Sequence, residues 1–175
     1  RDEQGRLLHS YKDGRARFNA YLDDYACLID GLVELYQATF DAGYLTAALE
    51  LAERLREDFA DADGQGFFYT PHHHEQLIAR SKATQDSATP SGNAVAATAL
   101  LKLGRLCGRA DLQEQGYQTL QHLSGLLAEH PRAAGQALIA LDFVLGPTRE
   151  YVFVPGTVSG DVDAMLSALN HRFVP

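Results

Sequence analysis

QDSATPSGNAVAATALLKLGRL, residues 85–106, carries the chain from a polar loop containing Pro90 into a helix built from Ala, Val, Leu and Thr. Apolar residues recur at Val95, Ala96, Ala99, Leu100, Leu103 and Leu106, which is helical spacing, with Pro90, Ser91 and Asn93 as start signals and Gly108 as the stop. Such small side chains permit close packing on more than one face, so this is an inner helix. The loop ahead of it crowds Asp86, Ser87, Thr89, Ser91 and Asn93 against a helix N-terminus, where unpaired amides and the helix dipole favour polar and anionic groups. The stretch marks a place for a site without naming a reaction.

Working outward, residues 22–40 place Tyr25, Leu28, Ile29, Leu32, Val33, Leu35 and Tyr36 at helical spacing, opened by Asp23 and Asp24 in the first turn. After the Asp41-Ala42-Gly43 turn a second helix runs from Tyr44 to about Phe59, with Leu45, Ala48, Leu49, Ala52 and Leu55 inward and a charged face that marks it as outer. The helix of residues 91–106 is followed by the Gly108-Arg109-Ala110 turn and a fourth helix from Asp111 to about Glu129. A shift of 67 residues sets Leu45 on Leu112, Leu28 on Val95, Val33 on Leu100 and Phe59 on Leu126, a repeated inner helix, tight turn and outer helix. A fifth helix, about 131–145, is again small and apolar and therefore inner. Residues 150–154 are expected as a short strand and 161–173 as a final amphipathic helix.

Two segments stand outside this pattern. Residues 1–21 are polar and turn-rich and are expected as an extended lead-in. Residues 60–90 form a connection far longer than the ~4–6 residues usual in compact domains. Within it, Asp63-Gly64-Gln65-Gly66 turning into Phe67-Phe68-Tyr69-Thr70, with Leu77-Ile78 beyond, predicts a β-hairpin capping one end of the helices. Outer helices return the chain to the end where inner helices start. Asp23 and Asp24, the hairpin with the Asp86 loop, and the turn at Pro131-Arg132 are therefore expected to converge.

At 175 residues and 46% hydrophobic composition the chain suits a single domain with a real core. Its formal charge of −8 repels nucleic acid and anionic membrane, leaving a neutral or cationic small molecule as the easier ligand. No run of ~18 apolar residues suggests a membrane span. Cys27 and Cys107 lie on apolar helical faces with no metal-binding spacing, which predicts buried, reduced thiols and a cytoplasmic setting. The start at Arg1 rather than Met suggests a piece of something longer.

The words YLDDYA (21–26), GFFYT (66–70), the Arg80-x-Lys82 pair, DSATPSGN (86–93) and LDFVLGPTRE (141–150) resemble the C-terminal part of the family of bacterial YyaL and mammalian spermatogenesis-associated protein 20. That resemblance implies a thioredoxin-like domain elsewhere in the full-length chain and a six-hairpin (α/α) toroid similar to those of glycosidases and N-acylglucosamine 2-epimerase. The present chain would supply three hairpins, about half of the toroid, over residues 22–149, and would be inactive alone. His72-His73-His74 departs from the family pattern.

Asp86, Asp23 and Asp24 are the candidate catalytic groups, because sugar hydrolysis and epimerisation need positioned carboxylates. Helix capping and an Asx-turn are the alternatives for these residues. Tyr25, Phe67, Arg80, Lys82, Ser91 and Asn93 are the candidate substrate contacts: aromatic faces for a sugar ring, a cationic pair on one side of a strand, and polar groups at the helix start. Ser91 and Asn93 are caps first, and core packing is the competing role for Phe68. No metal or cofactor is expected, since consecutive histidines on a strand alternate between faces and Glu75 alone completes no set. Two function classes remain, a carbohydrate-acting enzyme and a non-catalytic scaffold that binds a peptide or glycan and presents it to the thioredoxin-like domain. Opening a toroid would expose apolar faces near Leu28, Leu32 and Leu35 and near Leu138, Leu141 and Val144, so the chain is expected to self-associate.

Overall fold

The computed structural model describes residues 1–64, 66–74, 79–154 and 161–171. They form an all-α fold with one small β-hairpin. Chain order is β1 (Leu8–Lys12), β2 (Arg15–Asn19), α1 (Leu22–Thr39), α2 (Ala42–Phe59), α3 (Gly92–Leu106), α4 (Ala110–His122), α5 (Ser124–Glu129), a 3-10 turn (Pro131–Ala133), α6 (Gly135–Leu145) and α7 (Asp161–Asn170). Residues 1–145 make one compact unit and 146–175 a second.

The first unit is built around α3. Alanines and leucines on all its sides let α1, α4 and α6 approach it, and twelve of its fifteen residues are buried. Helix α2 packs on α1 and α4 on α3, so α1, α3 and α6 form an inner row and α2 and α4 an outer one. One core joins α1, α2 and α3 through Tyr25, Ile29, Leu51, Leu55, Phe59, Leu100 and Leu103. A second joins α3, α4 and α6 through Ala97, Leu101, Leu120, Ala137 and Ala140. On the outer row Arg56 and Arg109 both pair with Glu53 and Asp111, which raises the Arg109 pKa and holds the Asp111 carboxyl well below the usual range.

Several expectations need correction. The lead-in is an antiparallel hairpin, with Lys12 paired to Arg15 across a two-residue Asp13-Gly14 turn in which both residues have positive φ. That is the turn chemistry of a type I′ hairpin, and Asp-Gly was its signal. Among the described residues of the 60–90 connection strand pairing is one bridge, Ala60 to Phe67, while the expected second limb at Leu77 and Ile78 lies outside the described residues, as does Glu75. The helix expected over 111–129 breaks at Leu123 into α4 and α5. Residues 150–154 carry no strand pairing. Cys27 is exposed rather than buried, and partial desolvation with Asp23, Asp30 and Asp24 nearby pushes its thiol pKa up, away from a reactive thiolate.

Candidate functional site

The three expected features meet at one end of the inner helices. At the start of α1 the two aspartates have separate fates. Asp24 accepts the Tyr21 N–H at 2.8 Å and pairs with His9 Nδ1 of β1 at 2.8 Å, so it caps the helix and docks the hairpin. Asp23 does neither. Its Oδ1 is buried and without a hydrogen-bond partner among the described residues. Burial first, and then the charge of Asp24, push its pKa up, against the pull of the helix N-termini around it. The carboxylate rests on the backbone of Gly92 in the first turn of α3, where any β-carbon would collide with it.

Beside Asp23 stand two half-buried aromatic rings. Tyr21 and Tyr69 stack with centroids 4.9 Å apart and planes 13° from parallel. His9 meets Tyr21 edge-on at 5.2 Å, and His74 lies 6.0 Å away. Tyr69 reaches this place because the backbone of the connection is fixed to α1: its carbonyl accepts the Leu22 N–H at 3.0 Å, and its own N–H donates to Ser81 at 2.8 Å. Burial and the charge of Asp23 raise the pKa of the Tyr69 phenol. Sequence reasoning missed Tyr21 and His9 here, and it offered Tyr69 as a stacking face for a sugar only together with Phe67 and Phe68. Tyr69 lies in the quoted aromatic run, but which ring turns inward depends on the hydrogen bonds to Leu22 and Ser81.

Other expected site residues are occupied elsewhere. Asp86 gives one carboxylate oxygen to the Ser91 N–H at 2.8 Å and the other to the Gln136 N–H at 2.9 Å, so a single side chain braces the N-termini of α3 and α6. Its own N–H donates to Ala133, beside an open depression of about 600 Å³ lined by Gln85, His130 and Arg132 among others. Ser91 is the N-cap of α3 and accepts the Ala94 N–H. Asn93, fully buried, accepts the Phe67 N–H and donates to the carbonyls of Phe67 and Ala83. Gly66 makes room for that amide at positive φ, since a β-carbon there would lie 2.7 Å from Asn93 Oδ1. Phe67 is wholly buried and presents no ring face. Tyr25 is core, 2% exposed, and its hydroxyl accepts the Leu7 N–H at 2.9 Å. Arg80 donates to the carbonyls of Thr70 and Asp58 and lies 4.2 Å over the Phe68 ring, while Lys82 pairs with Asp61. Of the candidate residues, Asp23 keeps polar capacity that the protein itself does not use.

No model of a known protein family matches the chain. Among curated proteins, spermatogenesis-associated protein 20 of Rattus norvegicus is 30% identical over 89% of this chain and 20% of its own length, and that of Homo sapiens is 28% identical over the same shares. An uncharacterized protein of Caenorhabditis elegans is 29% identical over 99% of this chain and 25% of its own length. The chain thus spans a fifth to a quarter of the curated relatives it matches. Among the described residues no helix is long and apolar enough to cross a membrane.

Proposed function

We propose, for this homologue of spermatogenesis-associated protein 20, a carbohydrate-acting role in which the chain supplies one arc of an (α/α) toroid and binds a sugar at the N-terminal ends of its inner helices. The observation that carries this reading is the half-buried carboxyl of Asp23, one oxygen of which is buried and without a hydrogen-bond partner among the described residues, beside the stacked Tyr21 and Tyr69 rings. A carboxyl whose pKa is pushed up stays protonated to higher pH and can donate to a leaving oxygen, while aromatic faces suit the apolar face of a pyranose. Hydrolysis of a glycosidic bond and epimerisation of an amino sugar both use such a group. The family's activity, substrate and full-length partners, including a thioredoxin-like domain, belong to this proposal.

One observation favours the scaffold alternative. Glycosidases generally work with two carboxyls flanking the bond, ~5–10 Å apart, and here Asp86 and Asp24 are both committed to backbone amides. A second catalytic carboxyl would then come from beyond these two residues. A screen of aryl glycosides and N-acetylated amino sugars, run on the protein at the length of its relatives, should show turnover that Asp23→Asn removes. Glycan binding that survives Asp23→Asn, with no turnover by either form, would instead establish the scaffold. The 175-residue chain assayed alone is expected to be inactive.

A further inference from the structure

Asp58 is the anomaly of α2. It occupies the apolar stripe with Leu51, Leu55 and Phe59 and is 6% exposed, where a carboxylate is costly unless paired. Its Oδ2 is buried and has no hydrogen-bond partner among the described residues. Its Oδ1 lies 3.5 Å from Nδ1 of His72 and 3.5 Å from Nδ1 of His73. The histidines are not on a strand. They follow Pro71 in a turn closed by His74 N–H donating to the Pro71 carbonyl, so consecutive rings converge on one carboxylate, 5.2 Å apart and 87° to one another. The turn is fixed to the end of α2, since the Asp58 carbonyl accepts the His72 N–H at 2.8 Å and an Arg80 N–H at 3.3 Å.

We propose that Asp58, His72 and His73 bind a divalent late first-row transition-metal ion, with Zn²⁺ the natural probe, through one carboxylate oxygen and two Nδ1 atoms. One donor atom from each residue lies within 4.8 Å of the others. At metal–ligand lengths of ~2.0–2.2 Å, two donors on a tetrahedral ion stand about 3.4 Å apart, so the 3.5 Å separations match the edge of such a site. They are too long for good nitrogen-to-oxygen hydrogen bonds. Two imidazoles exclude Ca²⁺ and Mg²⁺, which take oxygen ligands. With the His72 side chain 60% exposed, the ion has a path in from solvent and a fourth position for water. This site is independent of the sugar reading at Asp23.

Calorimetric titration of the chelator-treated chain with Zn²⁺ at neutral pH should give one equivalent bound, weakened at least tenfold by His72→Ala and by His73→Ala. His130→Ala, which removes a histidine outside the cluster, should leave it unchanged. The exposed His72 variant protects the test from a folding defect that Asp58→Asn could bring. Co²⁺ should produce the visible bands of a four-coordinate nitrogen and oxygen site, absent in His73→Ala. Zn²⁺ affinity that the two histidine variants leave unchanged, or no stoichiometric binding at all, would overturn the proposal.

Discussion

In α3 twelve of fifteen residues are buried, and Asp86 ahead of it spends both carboxylate oxygens on backbone amides. In α1 five of eighteen are buried, Leu28 and Leu35 remain 42% and 46% exposed on one face, and Asp23 keeps an oxygen unpaired among the described residues. The two helices occupy the same place in successive hairpins, and Leu28 corresponds to Val95, which is 4% exposed. The difference follows from neighbours. Helix α3 has α1, α4 and α6 around it, so its polar groups serve as struts, whereas the main helical neighbours of α1 among the described residues are α2 and α3.

That contrast breaks most severely at Asp86. Asp86→Ala removes two charge-assisted bonds to helix N-termini and should cost about 2–4 kcal/mol in denaturant unfolding, with Asp86→Asn recovering part of it. Gly92→Ala drives a methyl into Asp23 and Leu22 where α1 and α3 touch, and should cost about 1–3 kcal/mol. Asp23→Asn should act in the other direction, stabilising by less than about 1 kcal/mol, because a half-buried charge is lost whose cost solvent already screens in part. A folded-state pKa above the unfolded value means that ionised Asp23 penalises the fold at neutral pH. The penalty lifts as pH falls through that raised value, so the advantage of the Asn variant should shrink on acidification. A pH-independent advantage would show that the charge of Asp23 is not what costs the fold. The smallest effect on stability, within about 0.5 kcal/mol, is expected for Leu28→Glu with Leu35→Glu. The wild-type chain is expected to self-associate in sedimentation equilibrium at micromolar concentration, and the same pair of changes should abolish it. A wild-type monomer would show that the openness of α1 has no part in pairing copies.

Much of this was visible in the residues themselves. Periodicity located five helices and their inner and outer roles, because burial of small apolar side chains is what dictates them. Convergence of the helix starts also followed from the alternating path. The division of labour between Asp23, Asp24 and Asp86 did not, since capping and catalysis ask for the same residue type at the same place, and hydrogen bonds to amides distant in sequence decide between them. Asp58 carried a legible signal as a carboxylate on an apolar stripe, while the strand assumed for His72 and His73 hid its partners. The hairpin at 8–19 was announced by Asp13-Gly14, but exposed Tyr11 and Phe18 gave its strands no buried face to mark them.

Asn93 belongs to α3, yet its side chain holds the backbone at Phe67 and at Ala83, the two ends of a segment that precedes the helix. One buried amide thus pins two distant points of the connection to the start of α3, and Asn93→Ala would release the backbone that carries Tyr69 to Asp23.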